Sequence, residues 1–319
     1  MQGVAVVFRK ELSDHFSSYK FVLIFFLIAM ISFITSYIVG MHMQENLEVL
    51  AVTRFPFLML FSTPGAMFSM VQFVAFFGPL IGLVLGFDSI NRERADGTLI
   101  KLISQPIYRD AVINGKFLAG VATIAIILTA IVLVISGFGL GFAGVVPELE
   151  EIFRLFTYLI ISIFYISFWL GLSILFSIFF KGIATSALAS IALWIFLSFF
   201  ISMGAEIAAN TLAPIDKQKG AEPEVIIKNI QIKETISRCS PMVLYSEATT
   251  TIIDPMRKTT RSLIIMDRME QILASRFQNP LPLGQSLMVV FPHVTVLIAI
   301  TLICFAISYM VFMIQEIRT

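Results

Sequence analysis

Six stretches of the chain contain no Asp, Glu, Lys or Arg: Phe21 to Gln44, Phe55 to Phe87, Phe117 to Pro147, Leu155 to Phe180, Gly182 to Ala205 and Phe277 to Gln315, each at least 24 residues long. A helix rises about 1.5 Å per residue and the hydrocarbon layer is about 30 Å thick, so roughly 20 residues suffice to cross it. Each stretch therefore predicts one membrane-spanning helix. Pro56 and Pro64-Gly65 break the second stretch, so its first part is expected to lie at the surface or re-enter, with residues 68–87 crossing. Leu155 to Ala205 as one helix would reach roughly 77 Å, so Lys181-Gly182 must be the tip of a helical hairpin. The fold class this pattern gives is all-α, polytopic, with six transmembrane helices.

The polar intervals have patterns of their own. Val4, Val7, Phe8, Leu12 and Phe16 fall at helical spacing, with Arg9, Lys10, Glu11, Asp14 and Lys20 assigned to other faces, as in an amphipathic helix lying at the membrane surface over residues 1–20. Spans one to five then occupy 21–204, with the long loop 88–116 between spans two and three. A helical segment covers 205–284, span six 285–314 and a short tail 315–319. In 205–284 the sequence predicts helices at 224–238 and 241–253, with Ser240 as cap before Pro241, and a third over about 259–277. Its bland reading is a helical cap on the bundle; the sharper one is a docking site for an external partner.

Composition agrees: 58% of residues are apolar and 13% charged, against about 45–50% and about 25% in soluble domains. A net charge of +1 with no basic stripe argues against nucleic-acid binding. Cys239 and Cys304 are too few for a disulfide framework or zinc site. Charge matters most through its distribution. With the N-terminus inside, Arg9, Lys10, Lys20, Arg92, Arg94, Lys101, Arg109, Lys116, Lys181 and Arg318 lie inside, and only Arg54 and Arg154 fall in short outside loops. The positive-inside rule then places both termini in the cytoplasm and 205–284 outside.

Loop 88–116 is too long for a turn. Residues 92–96 can prolong the second span, Gly97 permits a change of direction, Leu99, Ile100, Leu102 and Ile103 form a short apolar surface, and Pro106 ends it. Such an element can rest on lipid, or seat in a partner's groove and transmit its movement.

The pattern Glu93-Arg94, Gly97-Thr98-Leu99, Leu102, Ser104, Pro106, Arg109 and Gly115-Lys116 resembles the signature loop of ABC-2 type transporter permeases. The resemblance runs the length of the chain, through Phe8 to Asp14, Ser240-Pro241, Tyr245 to Ala248, and Phe312 to Arg318. It is nearest to six-span permeases related to those of nitrous oxide reductase maturation and sodium export. Ala95 stands where an acidic residue is frequent, and Asp96 where Glu is commoner. The resemblance implies a permease paired as a homodimer or with a second permease, in a prokaryotic plasma membrane, working with two cytosolic ATPase subunits. Glu11, Glu93, Arg94, Gly97, Thr98, Leu99, Leu102, Pro106 and Arg109 would lie at or beside the ATPase contact. ATP and Mg would sit on that partner: this chain has no Gly-x-x-x-x-Gly-Lys-Ser/Thr loop, and Gly115-Lys116 lacks the upstream glycine. No cofactor or catalytic residue is expected here.

Other candidates carry less. His293, after Pro292 in the last stretch, reads as a satisfied neutral imidazole or as a proton or ligand site. Met41-His42-Met43 with Met67 and Met70 offers soft Cu(I) ligands or plain packing. Glu206 reads as a span boundary. Gly137, Gly139, Gly141 and Gly144, with Ala184, Ala187 and Ala189, suggest close helix packing. Membrane lipid is the general partner, and the substrate is not legible. The competing functions are an ATP-independent channel or secondary transporter, which would place charged or broken-helix sites at mid-membrane, and a membrane scaffold working through its outer segment.

Overall fold

The computed structural model describes residues 2–45, 55–62, 69–98, 108–214, 223–255 and 281–315, and no strand occurs among them. Helix α1 (Gln2–Ser17) turns at Ser18 into α2 (Tyr19–Glu45), with a 63° bend between them. Short α3 (Pro56–Ser62) precedes α4 (Met70–Gly86) and one-turn α5 (Asn91–Ala95). Helix α6 (Arg109–Phe138) closes in a π-turn, and α7 (Leu149–Phe179) follows. Helices α8 (Ile183–Ile195) and α9 (Ile201–Leu212) are joined through a π-turn. Then come α10 (Pro223–Ser237), α11 (Pro241–Ile253) and α12 (Leu283–Ile314). Among the described residues five helices are long and apolar enough to cross a membrane, or six with the bent pair α1–α2.

Local chemistry sets the boundaries. Ser69 Oγ accepts the Gln72 amide at 3.2 Å while Gln72 Oε1 accepts the Ser69 amide at 3.3 Å, a reciprocal cap that starts α4. Gly97 and Gly144 take φ of +66°, where a Cβ would be strained, and let the chain leave α5 and the π-turn after α6. The hairpin at Lys181-Gly182 is present as three residues between α7 and α8.

Span four, α7, is the centre of the bundle, and Tyr158, Tyr165 and Trp169 on it are fully buried. Its contact with α4 is close because Gly78, Gly82 and Gly86 recur every fourth residue. A Cβ on Gly82 would lie 2.6 Å from the Ile166 carbonyl oxygen and 2.8 Å from the Leu170 nitrogen. Pro79 cannot donate to the Ala75 carbonyl one turn back, and the Tyr165 hydroxyl supplies that bond at 2.7 Å. Ser173 Oγ donates to the Leu83 carbonyl at 2.8 Å. Ser308 and Thr301 of α12 likewise donate to the Gly171 and Phe164 carbonyls.

Of the two placements expected for the first part of the second stretch, the structure has the one that folds back inward: Phe57, Leu58, Leu60 and Phe61 of α3 are buried in the bundle. Of the small residues singled out at the end of span three, Gly139 closely approaches Leu60, while a Cβ on Gly137, Gly141 or Gly144 would meet nothing within 4 Å among the described residues. Further close approaches fall at Gly78, Gly82, Gly86, Gly115 and Gly120. The helix α8 buries Ser186, Ser190 and Trp194 and turns Leu188 and Ile191 outward, an inverted pattern suited to lipid. The helix expected over 259–277 lies outside the described residues.

Candidate functional site

The chain termini mark one end of the bundle, where α1, the α4–α5 junction, the start of α6 and the end of α12 meet. Val7 is 2% exposed and docks on α6 at Gly115, where a Cβ would lie 2.7 Å from Val7 Cγ1. Glu11 is one helical turn further on and shares that buried face, which corrects its assignment to the polar side. The reason is Lys116. Its ammonium is 2.9 Å from Glu11 Oε1 and 3.0 Å from Glu93 Oε1, and its side chain is 3% exposed. Lys10 reaches the same two carboxylates at 2.9 and 3.1 Å, and Asp14 at 3.2 Å.

Two acids 82 positions apart, both singled out from the sequence, thus share two lysines. Burial works against the Glu11 charge, yet Lys116 and Lys10 outweigh it and hold its carboxyl below the usual range. Burial also acts against Lys10, and its carboxylate partners outweigh it and hold it charged. Burial lowers His15, four residues on, and keeps it neutral. Beside the cluster, Lys20 pairs with Asp88 and stands 4.6 Å above the Phe87 ring. These groups line a cleft of about 860 Å3 reaching from α1 to Thr98.

The other sequence-flagged residues divide in two. Arg94 donates to Gln315 Oε1 at 3.1 Å, and Arg109 to the Gln315 and Met313 carbonyls at 3.3 and 3.5 Å, so both hold the end of α12. A cation there also suits the helix dipole. Thr98 Oγ1 closes back on the Glu93 carbonyl at 3.2 Å, just after the left-handed Gly97. Leu99, Leu102 and Pro106 lie outside the described residues. Ser177 Oγ accepts the amides of Ile90 and Asn91 at 3.0 and 3.1 Å, and Asn91 Nδ2 donates to the Gly182 carbonyl, which fixes the start of α5 on α7.

The opposite end holds charges that sequence reading missed. Glu151 is fully buried; one oxygen accepts the Phe57 and Leu58 amides at 3.0 and 3.3 Å, and the other the Glu148 amide at 2.8 Å. Fully buried Arg154 donates to the Ile252 carbonyl at 2.9 Å, the Leu281 carbonyl at 2.6 Å, Ser286 Oγ at 3.3 Å and Glu150 at 2.8 Å. His293 finds its partner in Glu247, with Nε2 at 3.0 Å from Oε2, and Arg238 approaches the same oxygen at 3.3 Å. Glu206 is exposed and pairs with Lys233 at 3.6 Å. Met70 is buried in the core, Met41 faces out, and Met67 with the His42 and Met43 side chains lies outside the described residues.

The layout is two charged ends joined by an apolar bundle, the terminal end open as a cleft beside the loop that carries the Gly-Thr-Leu pattern. A 92-residue stretch is 37% identical to the probable ABC transporter permease protein NosY of Pseudomonas aeruginosa, covering 28% of this chain and 31% of that protein. The aligned stretch is thus under a third of that relative's length. The family model described as ABC-2 family transporter protein matches residues 5–317, nearly the whole chain. By that match, the chain belongs to the ABC-2 transporter family.

Proposed function

We propose that the chain is the transmembrane permease subunit of an ABC-2 type exporter, driven by a separate cytosolic ATPase that holds ATP and Mg. Family membership supports the class, and the observation that carries the coupling role is the Lys116 bridge. One buried ammonium ties Glu11 of α1 to Glu93 of the loop between spans two and three. A displacement of either element is therefore passed to the start of span three. The ATPase would press on residues 97–109 and α1, and the bundle, paired with a second permease in a prokaryotic plasma membrane, would change access along its path.

Purification of the chain from its native membrane is expected to recover an ATPase with a Gly-x-x-x-x-Gly-Lys-Ser/Thr loop. Recovery should be lost in the Leu99→Asp, Arg109→Glu double variant. Leu99→Asp alone controls for the contacts of Arg109 with the end of α12. Sustained transport into vesicles holding no ATPase would overturn the reading.

The proposed orientation puts the terminal end in the cytoplasm and α10–α11 outside. Exposed Cys239 is then expected to react with a membrane-impermeant maleimide added to intact cells, while buried Cys304 stays unlabelled. Labelling of Cys239 only in inverted vesicles would reverse the topology.

A further inference from the structure

The cleft at the terminal end has two electrical halves. On one side Asp88 pairs with Lys20 and stands 3.9 Å from Arg92, so two cations share one carboxylate and a positive charge is left over. Both cations are open to a ligand, with 40% of the Lys20 side chain and 65% of the Arg92 side chain exposed. On the other side Glu11, Glu93 and Asp14 have only Lys10 and Lys116 between them, and burial keeps His15 beside them neutral. Asp96, exposed and three residues past Glu93, adds a further negative charge. Glu93 Oε2 is buried with no hydrogen-bond partner among the described residues, an acceptor still short of a donor. All of these groups line the same cleft.

The cleft sits at the elbow between α1 and α2, where the chain turns through 63°. Ser17, Ser18 and Lys20 line it, and directly beyond them α2 turns Val22, Leu23 and Phe26 outward, 57%, 65% and 68% exposed. An amphipathic helix that lies along the surface and then bends into a span puts such an elbow at the level of the lipid headgroups. The outward strip of α2 offers acyl chains a path below it. The volume of the cleft, about 860 Å3, falls in the range of small-molecule sites, about 300–1,000 Å3.

We propose that this cleft seats the headgroup of a phospholipid whose phosphate carries a primary amine, with the phosphate against Lys20 and Arg92 and the ammonium against Asp14, Glu93 and Asp96. A primary ammonium brings three N–H donors to carboxylates that are short of them, whereas a trimethylated one brings none. An anionic headgroup without the amine satisfies the positive half and is repelled by the other. A free phosphoamine has the same chemistry, and the place of the cleft at the membrane surface favours the lipid. The site needs a membrane at the elbow and does not depend on the ATPase.

The full chain is stripped of lipid in detergent, phosphatidylethanolamine, phosphatidylcholine or phosphatidylglycerol is added at equal concentration, and bound lipid is counted by native mass spectrometry. Wild type is expected to hold phosphatidylethanolamine at least about tenfold more tightly than the other two, the scale of one hydrogen bond to a charged group. The double variant Asp14→Asn, Asp96→Asn should bring it down to the level of phosphatidylcholine. Arg92→Gln should weaken phosphatidylethanolamine and phosphatidylcholine alike, because the phosphate is common to both. If the double variant does not fold, wild type answers alone: a carbodiimide joins the lipid amine to a carboxylate that it touches, and the linked lipid should map to peptides holding Asp14 or Asp96. Equal binding of the three lipids, a preference that survives in the double variant, or links that map elsewhere overturns the proposal. Displacement of the lipid by an equal concentration of free phosphoethanolamine would give the cleft to a soluble ligand and overturn the lipid.

Discussion

Lys116→Met is expected to destabilise the detergent-solubilised protein by about 3–5 kcal/mol, the cost of leaving buried charges without their partner. Lys116 is 3% exposed, and it faces Glu11 and Glu93, whose side chains are 9% and 12% exposed. Removing the ammonium leaves two carboxylates about one ion apart, with half-exposed Lys10 as their remaining cation. The unfolding midpoint should fall and α1 should be the first element cut by protease. The triple variant Glu11→Gln, Lys116→Met, Glu93→Gln removes charge together with counter-charge and should regain most of the stability. The two variants then divide stability from coupling. If the bridge transmits movement, the triple variant still binds the ATPase and hydrolyses ATP, but transport per ATP falls. Full transport by the triple variant would reduce Lys116 to a structural ion.

The spans are legible because lipid offers the backbone no partner, so the chain must be helical wherever charge is absent for 20 residues or more. The hairpin at Lys181 follows from length alone, and α11 from Pro241 behind Ser240. The four-residue offset from Val7 puts Glu11 on the Val7 face, but a carboxylate in an amphipathic pattern reads as polar, so the sequence alone does not mark it as buried. Its partner, Lys116, lies 105 residues away, and no periodicity carries that information. Glu151 and Arg154 were hidden for the same reason. They look like a charged helix start at a span boundary, whereas their acceptors and donors come from Phe57, Ile252 and Leu281. One signal is present: a lysine in the third turn of α6, where the apolar run of the helix begins directly after it, must either snorkel to water or find a counter-charge. The repeat Gly78, Gly82, Gly86 was also visible, but the run around it is apolar on every face, so hydrophobic periodicity did not mark it.

That repeat gives the second large effect. Gly82→Ala is expected to cost about 3 kcal/mol, the upper end of overpacking penalties, because the added carbon would meet the Ile166 carbonyl oxygen at 2.6 Å and the Leu170 nitrogen at 2.8 Å. Both obstacles are helix backbone and cannot rotate aside. The helices α4 and α7 must separate, which stretches the bonds of Tyr165 to Ala75 and Ser173 to Leu83. Gly137→Ala is the matched control. It also sits in a spanning helix, but its Cβ would meet nothing within 4 Å among the described residues, so the change is expected to be neutral or to stabilise by up to about 1 kcal/mol through helix propensity. Thermal midpoints measured side by side in one detergent check both signs. Equal midpoints for the two variants would show that the α4–α7 contact yields to a methyl group, against the close backbone approach at Gly82.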